Sequence, residues 1–592
     1  MILLLVDSIL LIYVSLSLGI LATKGLSILF RSRVDADLLE LFLLGLMTCS
    51  FFFNLLSFFM PVDYRTLLLP VSLSLLTTIF YPGDLRRIRD SIRGKLHLLF
   101  SPRNWPLTVT IGIVLLDYWI LPCSTPDSNF YHFGSILWYE KYKVVPGLVN
   151  LNARLAFNPA PFLFQSAFAF TAPVGQSLYP LNGVAAMFAF AWLLMRLLRS
   201  GDSPGALLYA ALIVLTYRHF LMDISSPSSD GLATICMLYA LVRLVETSLA
   251  GERGLPAHIA PVLIILYAVT VKASCFALFL LIPYTYFRLP RTDKRIGLLF
   301  SLSFLGLLIY LPWLGRNYIL SGYLVFPFPF ADWFHPDWKA PSDLIRLEAN
   351  LIHLGTKTQH FSPDALAKLR STNSWMLGWI TSSLRERTFD MLLFLLAALS
   401  PLYWLIRAFV RKEVAPLFVP WLIIYVATWL WVESSPVFRY GMVYVCMSFM
   451  TPAFDACYSL WRKPVGKTGQ QPSDRRYLRL ALLALIPAGM FYLITGFHRY
   501  TTYRFTLADC WLTPLKSIWY DKKQQKDFPY KKLKNGTRIY MGNATHNCIS
   551  LDTCLTCTPF DYGEIEMRGP DLDQGFRNVR DEVKLHYPEF VQ

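Results

Sequence analysis

The sequence predicts an all-α polytopic membrane protein: a bundle of about fourteen transmembrane helices with two large extracytoplasmic loops and a small extracytoplasmic C-terminal domain. Three observations carry this. Of 592 residues, 55% are hydrophobic and 16% charged, and the apolar residues come in runs of about twenty, each long enough to cross a hydrocarbon core as a helix. No water inside a bilayer satisfies backbone amides, so spans of this composition are helices rather than strands. The Lys and Arg behind the formal net charge of +16 mostly flank apolar runs, so the charge reports topology and not nucleic-acid binding.

Taken in order, Ile2–Ala22 lacks a basic leading region and a small-residue cleavage site. It reads as a retained first span with its N-terminus outside. Leu38–Met60 returns outward and Thr66–Tyr81 comes back. The stretch DLRRIRDSIRGKLHLLFSPR then packs six Lys or Arg into twenty residues, the clearest cytoplasmic loop of the chain. This closes an N-terminal region, 1–105. The core, 106–497, begins with Pro106–Leu121 going out to a first large loop, 122–180. Within that loop Phe162–Ala172 is apolar but too short to span, so it reads as re-entrant or interfacial. Leu181–Leu198 goes in, Ala206–Met222 out and Leu232–Leu249 in. Ile259–Val271 and Phe276–Phe287 form a hairpin of short helices with Lys272 at its outer tip. Leu298–Leu314 leads to the second large loop, 316–390, and Met391–Ile406, Leu417–Val432, Met442–Leu460 and Leu480–Phe497 complete the spans. The tail, 498–592, is polar and lies outside with the N-terminus.

Chemistry-bearing residues gather at the outer ends of these spans. Asp127, in PDSNFYHFGSILWYEKY, opens an amphipathic stretch suited to the membrane surface. Beside His132, it is either a base for a hydroxyl nucleophile or the cap of that surface helix. Asp230, in ISSPSSDG, ends another span, and Lys272 lies within an apolar hairpin. Intramembrane charges are costly and mark functional sites, although Lys272 can also snorkel to the interface. Arg316 with Asn317, and Arg439 with Tyr440, put two guanidinium groups at outer helix ends. They are suited to forked hydrogen bonds with phosphate or serve as interfacial anchors.

Five cysteines (Cys49, Cys236, Cys275, Cys446, Cys457) sit in apolar runs as packing residues. Cys123, Cys510, Cys548, Cys554 and Cys557 fall in outer polar segments. There an oxidising compartment favours a disulfide among Cys548, Cys554 and Cys557 over a zinc site that adds His546. No metal site is assigned.

The acidic first loop, PWLGRNYILSGYLVFPFPF after a span, and SSPVFRY at a later helix end resemble the GT-C superfamily of polytopic glycosyltransferases over about residues 106–460. With DSNFYH, VPGLVNLNARLAFN and the tail's CTPFDYGEIEMRGPDLDQGFR, the chain resembles a little-characterised bacterial envelope branch of that type. The resemblance implies a GT-C-like bundle in the bacterial inner membrane and inverting transfer of a sugar from a polyprenyl-phosphate donor to a glycan or lipid acceptor. The first-loop acid Asp127 would be the base, with Asp117 ten residues earlier as the competing choice and room for a divalent metal. Polysaccharide polymerases or ligases using pyrophosphate-linked oligosaccharides share these features. A lipid or solute transporter would instead place charges at the bilayer midplane and repeat its hydropathy pattern, and a scaffold would need no cavity of acids and arginines.

Overall fold

The computed structural model describes residues 2–102, 104–120, 125, 127–200, 203–290, 296–358, 375–411, 415–461, 485, 530–541, 555–558 and 564–579. The protein is a helical membrane protein. Six described helices are long and apolar enough to cross a bilayer: Ile2–Leu29, Leu38–Leu56, Leu181–Arg199, Ser229–Ala250, Ile296–Ser321 and Thr388–Val410. Tyr64–Phe80 and Pro82–Leu99 form a pair bent by 95°, a seventh only if the two arms are one span, and further apolar helices run for 10–17 residues. Along Ile296–Ser321 only 6% of the apolar window is buried, with Phe300 and Leu311 exposed. Such a contiguous apolar face suits lipid.

The first two long helices are an antiparallel pair. Asp37 accepts hydrogen bonds from the Leu39 and Glu40 amides while the Glu40 carboxylate accepts from the Asp37 amide, a reciprocal cap that fixes the second helix's start. Their backbones touch. A Cβ on Gly19 would lie 2.1 Å from the Leu41 carbonyl oxygen, and one on Gly45 would lie 1.8 Å from that of Ser15. Small residues at a crossing allow this approach where no hydrophobic effect drives helices together.

Charged groups collect at both ends of the bundle and leave an apolar middle. At one end Arg196 pairs with Glu246 at 2.6 Å, Arg243 donates to Glu246, and Tyr239 donates to Glu40. Arg288 returns to the same end and donates to Ser248 at 2.7 Å. At the opposite end the same helices carry Asn182 and Asp230. From Asp230 to Glu246 is about 24 Å at 1.5 Å per residue, near the thickness of a hydrocarbon core. Arg196, Arg243 and Arg288 therefore gather at one end, and Asn182 and Asp230 stand at the other.

Several boundaries differ from expectation. Phe162–Ala172 is replaced by Ala160–Phe168, nine residues and buried throughout, a short internal helix. The second arm of the Lys272 hairpin starts as a 3₁₀ helix, Ala273–Leu280, and becomes α-helical only at Leu281–Arg288. The span expected from Met442 begins at Phe438, so Arg439 and Tyr440 stand in its first turn, just after Pro436 where a helix readily starts. The second large loop is partly helical, with Ser342–His353 and Trp375–Glu386. Leu480–Phe497 lies outside the described residues apart from Leu485. The described parts of the tail carry two small sheets: Tyr530–Lys532, Arg538–Met541 and Cys557–Thr558 form one, and Ile565–Met567 pairs antiparallel with Phe576–Asn578 across a 3₁₀ turn, Leu572–Gln574, in the other.

Gly45→Leu should lower the stability of the detergent-solubilised protein by about 1–3 kcal/mol, the range for forced overpacking. Gly25→Ala, with nothing within 4 Å of its added carbon, should be neutral or slightly stabilising. Thermal midpoints of the two variants would check the pair, and equal midpoints would refute the close crossing.

Candidate functional site

Asp127 stands at the start of a π-helical turn, Ser128–His132, and its side chain makes no capping hydrogen bond. It accepts instead from Arg439 Nη2, in the first turn of Phe438–Trp461. The same guanidinium donates to the Tyr440 hydroxyl at 2.9 Å and lies 3.4 Å from the second carboxylate, Asp230. Asp230 in turn pairs with Lys272, whose ammonium sits 3.6 Å from the centre of the Tyr440 ring. Asp127, Asp230, Lys272, Arg439 and Tyr440 thus form one network built from four chain segments more than 300 residues apart at the extremes.

Local sequence explains how the acids are aimed. In ISSPSSDG, Ser228 caps the helix by accepting from the Asp230 amide at 3.0 Å, and Ser226 accepts from the Ser228 amide at 3.0 Å. Serine is favoured in such positions because its hydroxyl satisfies an orphan amide. The segment is pinned from outside as well. The Asn182 amide donates to the carbonyls of Asp223, Ser226 and Ser228, and Gln165, on the short internal helix, donates to that of Pro227. Gly231 is required here, since a Cβ would meet the Phe220 ring at 2.8 Å.

Electrostatics divide the titratable groups. Burial pushes the Asp127 carboxyl up, but the positive surroundings, Arg439 foremost, outweigh it and hold it at about 2. Asp223, buried and facing the Asp230 charge, is pushed up. His132 is 2% exposed, and burial brings its imidazole down to about 4 against the pull of Asp127 and Asp230. At neutral pH it is therefore an uncharged ring, 3.0 Å from the Ser128 hydroxyl, which itself lies 2.7 Å from Ser226. It therefore links to the serines of the 226–228 turn through Ser128.

Two sequence-predicted residues fall elsewhere. Arg316 is 1% exposed, donates to Asn158 at 3.1 Å and lies 4.5 Å from the Tyr139 ring centre. Asn158 also exchanges hydrogen bonds with Trp313, so Arg316 fastens the first loop to its own helix. Asn317 donates to the Leu324 carbonyl. The second guanidinium whose charge reaches Asp127 is Arg154, which pairs with the buried Glu348 at 3.5 Å. Neither Arg154 nor Asp223 was singled out from sequence. The signal for Asp223 was its place seven residues before Asp230, in the connection between two consecutive spans. Asp117 is half-buried on Trp105–Ile120, within the helix, and the pairs around Arg439 run through Asp230 instead.

Among the described residues no three His, Cys, Asp or Glu side chains come together to hold a metal ion. The cluster's two paired carboxylates are already met by Arg439 and Lys272. This donor set does not suit a divalent cation. Of the disulfide candidates, Cys557 lies buried on a tail strand, while Cys548 and Cys554 fall outside the described residues, as do Cys123, Cys510 and His546.

A family described as a domain of unknown function (DUF8201) matches residues 1–446. The chain belongs to that family. The DUF8201 match takes in every member of the Asp127–Arg439 network and stops short of the tail. No curated protein matches the chain, and no solved structure matches it.

The tail nonetheless docks at the site's end of the molecule. The Phe576 amide donates to the Pro146 carbonyl at 3.0 Å and Asn150 donates to the Phe576 carbonyl. Arg568 makes a two-pronged pair with Asp337 at 2.9 and 3.0 Å. One hairpin therefore ties the first large loop to the second. Phe576 is 0% exposed, so Phe576→Ala should cost about 3–5 kcal/mol locally and open the tail to protease without unfolding the bundle. Unchanged cleavage would refute the tie.

The low value for His132 carries a sign. Its folded value lies below the 6.5 of a free imidazole, so between about 6.5 and 4 the unfolded chain binds the proton first. Stability conferred by the neutral ring is whole above that window and falls as pH falls through it, by up to about 1.4 kcal/mol per pH unit. Thermal midpoints from pH 7 down to pH 5 should drop more steeply for the wild type than for His132→Gln; parallel curves would refute the assignment.

Proposed function

We propose that this protein is an integral membrane glycosyltransferase of GT-C type, with about fourteen passes. It would transfer a sugar from a polyprenyl-phosphate donor to an envelope glycan or lipid acceptor at the extracytoplasmic face. The observation that carries the reading is the network in which Arg439 bridges Asp127 and Asp230 beside Lys272, at one end of an apolar bundle. Arg439 Nε faces the Asp230 carboxylate at 3.4 Å, a long contact for which a phosphate oxygen would compete. Charge supports that side. Lys24, Arg31, Arg33 and the arginines of Pro82–Leu99 crowd the opposite end, and clusters of this kind stay in the cytoplasm.

In the resting arrangement Asp127 is a weak base because its charge is spent on Arg439. Donor binding changes this. A phosphate oxygen competes for the guanidinium and the Lys272 ammonium, with forked, charge-assisted bonds that favour Arg for the task. Relieved of part of its partner, the Asp127 carboxylate gains basicity. It then takes the proton of the acceptor hydroxyl as that oxygen attacks the anomeric carbon, and the bond from that carbon to the phosphate oxygen breaks. The electron pair leaves on the phosphate, held by Arg439 and Lys272, and the configuration inverts. Acceptor activation is thereby tied to donor occupancy.

Transfer of radiolabelled sugar from a panel of polyprenyl-linked donors in vesicles is the test. Asp127→Asn, folded by gel filtration, should lose roughly 10²–10⁴-fold in rate, the usual worth of a general base. Arg439→Lys should weaken donor use by loss of the fork. Absence of transfer by the wild type from every donor would sink the reading.

A further inference from the structure

We propose that a cavity at the basic end of the bundle, remote from the Asp127 network, binds the phosphate of an anionic phospholipid headgroup. The cavity, about 630 Å³, opens where the last turns of Ile2–Leu29, the connection 31–36 and the first turns of Pro82–Leu99 meet. Lys24, Arg31, Arg33 and Arg87 line it against two carboxylates, Asp35 and Asp84. Lys24 and Arg87 share Asp84, at 2.8 and 3.4 Å, and Arg33 pairs with Asp35. Arg31 makes no ion pair among the described residues, and the site keeps a surplus of positive charge.

The backbone singles out Arg31. Its φ is 50°, left-handed, and the Ser32 amide reaches back to the Ser27 carbonyl at 3.2 Å, a helix-terminating turn whose left-handed residue is ordinarily glycine. A side chain there carries a conformational cost, so folding alone would favour glycine at this position. The guanidinium serves something other than the turn.

The surroundings say which phosphate. Tyr64–Phe80 and Pro82–Leu99 meet at 95°, so if the former crosses the bilayer the latter runs along its surface. Leu85, Ile88 and Ile92 of the surface helix pack towards the core, while Arg86, Arg89 and Arg93 stay exposed. Ile28 and Leu29, next to the cavity wall at Ser27, are exposed apolar residues. Cations over a cavity at headgroup depth, beside apolar surface for acyl chains, recognise an anionic lipid. A soluble phosphate ester would not need the apolar surface.

Native mass spectrometry of the full chain, released from micelles doped with phosphatidylglycerol or phosphatidylcholine, reads the retained lipid. Wild type should keep phosphatidylglycerol and not phosphatidylcholine. Arg31→Gly and Arg87→Gln should each weaken retention about fivefold, the worth of one cation near a charged leaflet. Arg31→Gly also relieves the left-handed turn, so its thermal midpoint should hold or rise and loss of lipid cannot be put down to misfolding. Retention by the double variant equal to wild type, or equal retention of phosphatidylcholine, would overturn the proposal. Displacement of the lipid by millimolar inorganic phosphate would overturn the lipid assignment in favour of a soluble phosphate ligand.

Discussion

Arg439 holds the upper structure in register. A guanidinium at the end of an apolar bundle needs partners, because removing one member of a buried pair leaves an uncompensated charge. Its partners are Asp127 from the first large loop and Asp230 from the start of a long helix, with Tyr440 beside it. Satisfying one side chain therefore fixes where three helix ends meet. Lys272 closes the set from the tip of a hairpin, and the serine and amide hydrogen bonds around 223–230 hold the second acid in place before any ligand arrives.

The division of polar groups into two layers follows from the same cost. Between Asn182 and Arg196 the helix Leu181–Arg199 carries no charge, and its buried face packs on apolar neighbours. Charge is tolerated only at the ends, where partners and water are within reach. Each end then acquires its own chemistry: acid, serine and bridging cation at one, basic residues and a cavity at the other. The tail hairpin adds a fastening at the first end through Phe576 and Arg568, outside the region that defines the DUF8201 family.

Much of the site was legible in the chain because intramembrane and interfacial charges are rare and conspicuous. Asp127, Asp230, Lys272, Arg439 and Tyr440 all stand at ends of apolar runs, and all join one network. Arg316 shows the limit of that reasoning. It too ends an apolar run after a motif-like stretch, yet it folds back on Asn158 and Tyr139. Hydropathy gives its depth and says nothing of its azimuth around the helix. Arg154 and Asp223 were passed over because polar neighbours in loops hid them, and their roles arise only from what packs against them.

By itself the sequence determined the helical class and most of the charged residues that face each other. These depend on composition and on the energy of placing a charge or an unpaired amide in hydrocarbon, which are local properties. Tertiary structure alone decided that Asp127 pairs rather than caps, that Arg316 turns to Asn158 and Tyr139 instead of the network, and that the tail binds both large loops. Each of those is a choice among partners of similar chemistry. Such a choice is settled by which side chains come within 3 to 4 Å once the helices have packed, a distance no run of residues encodes.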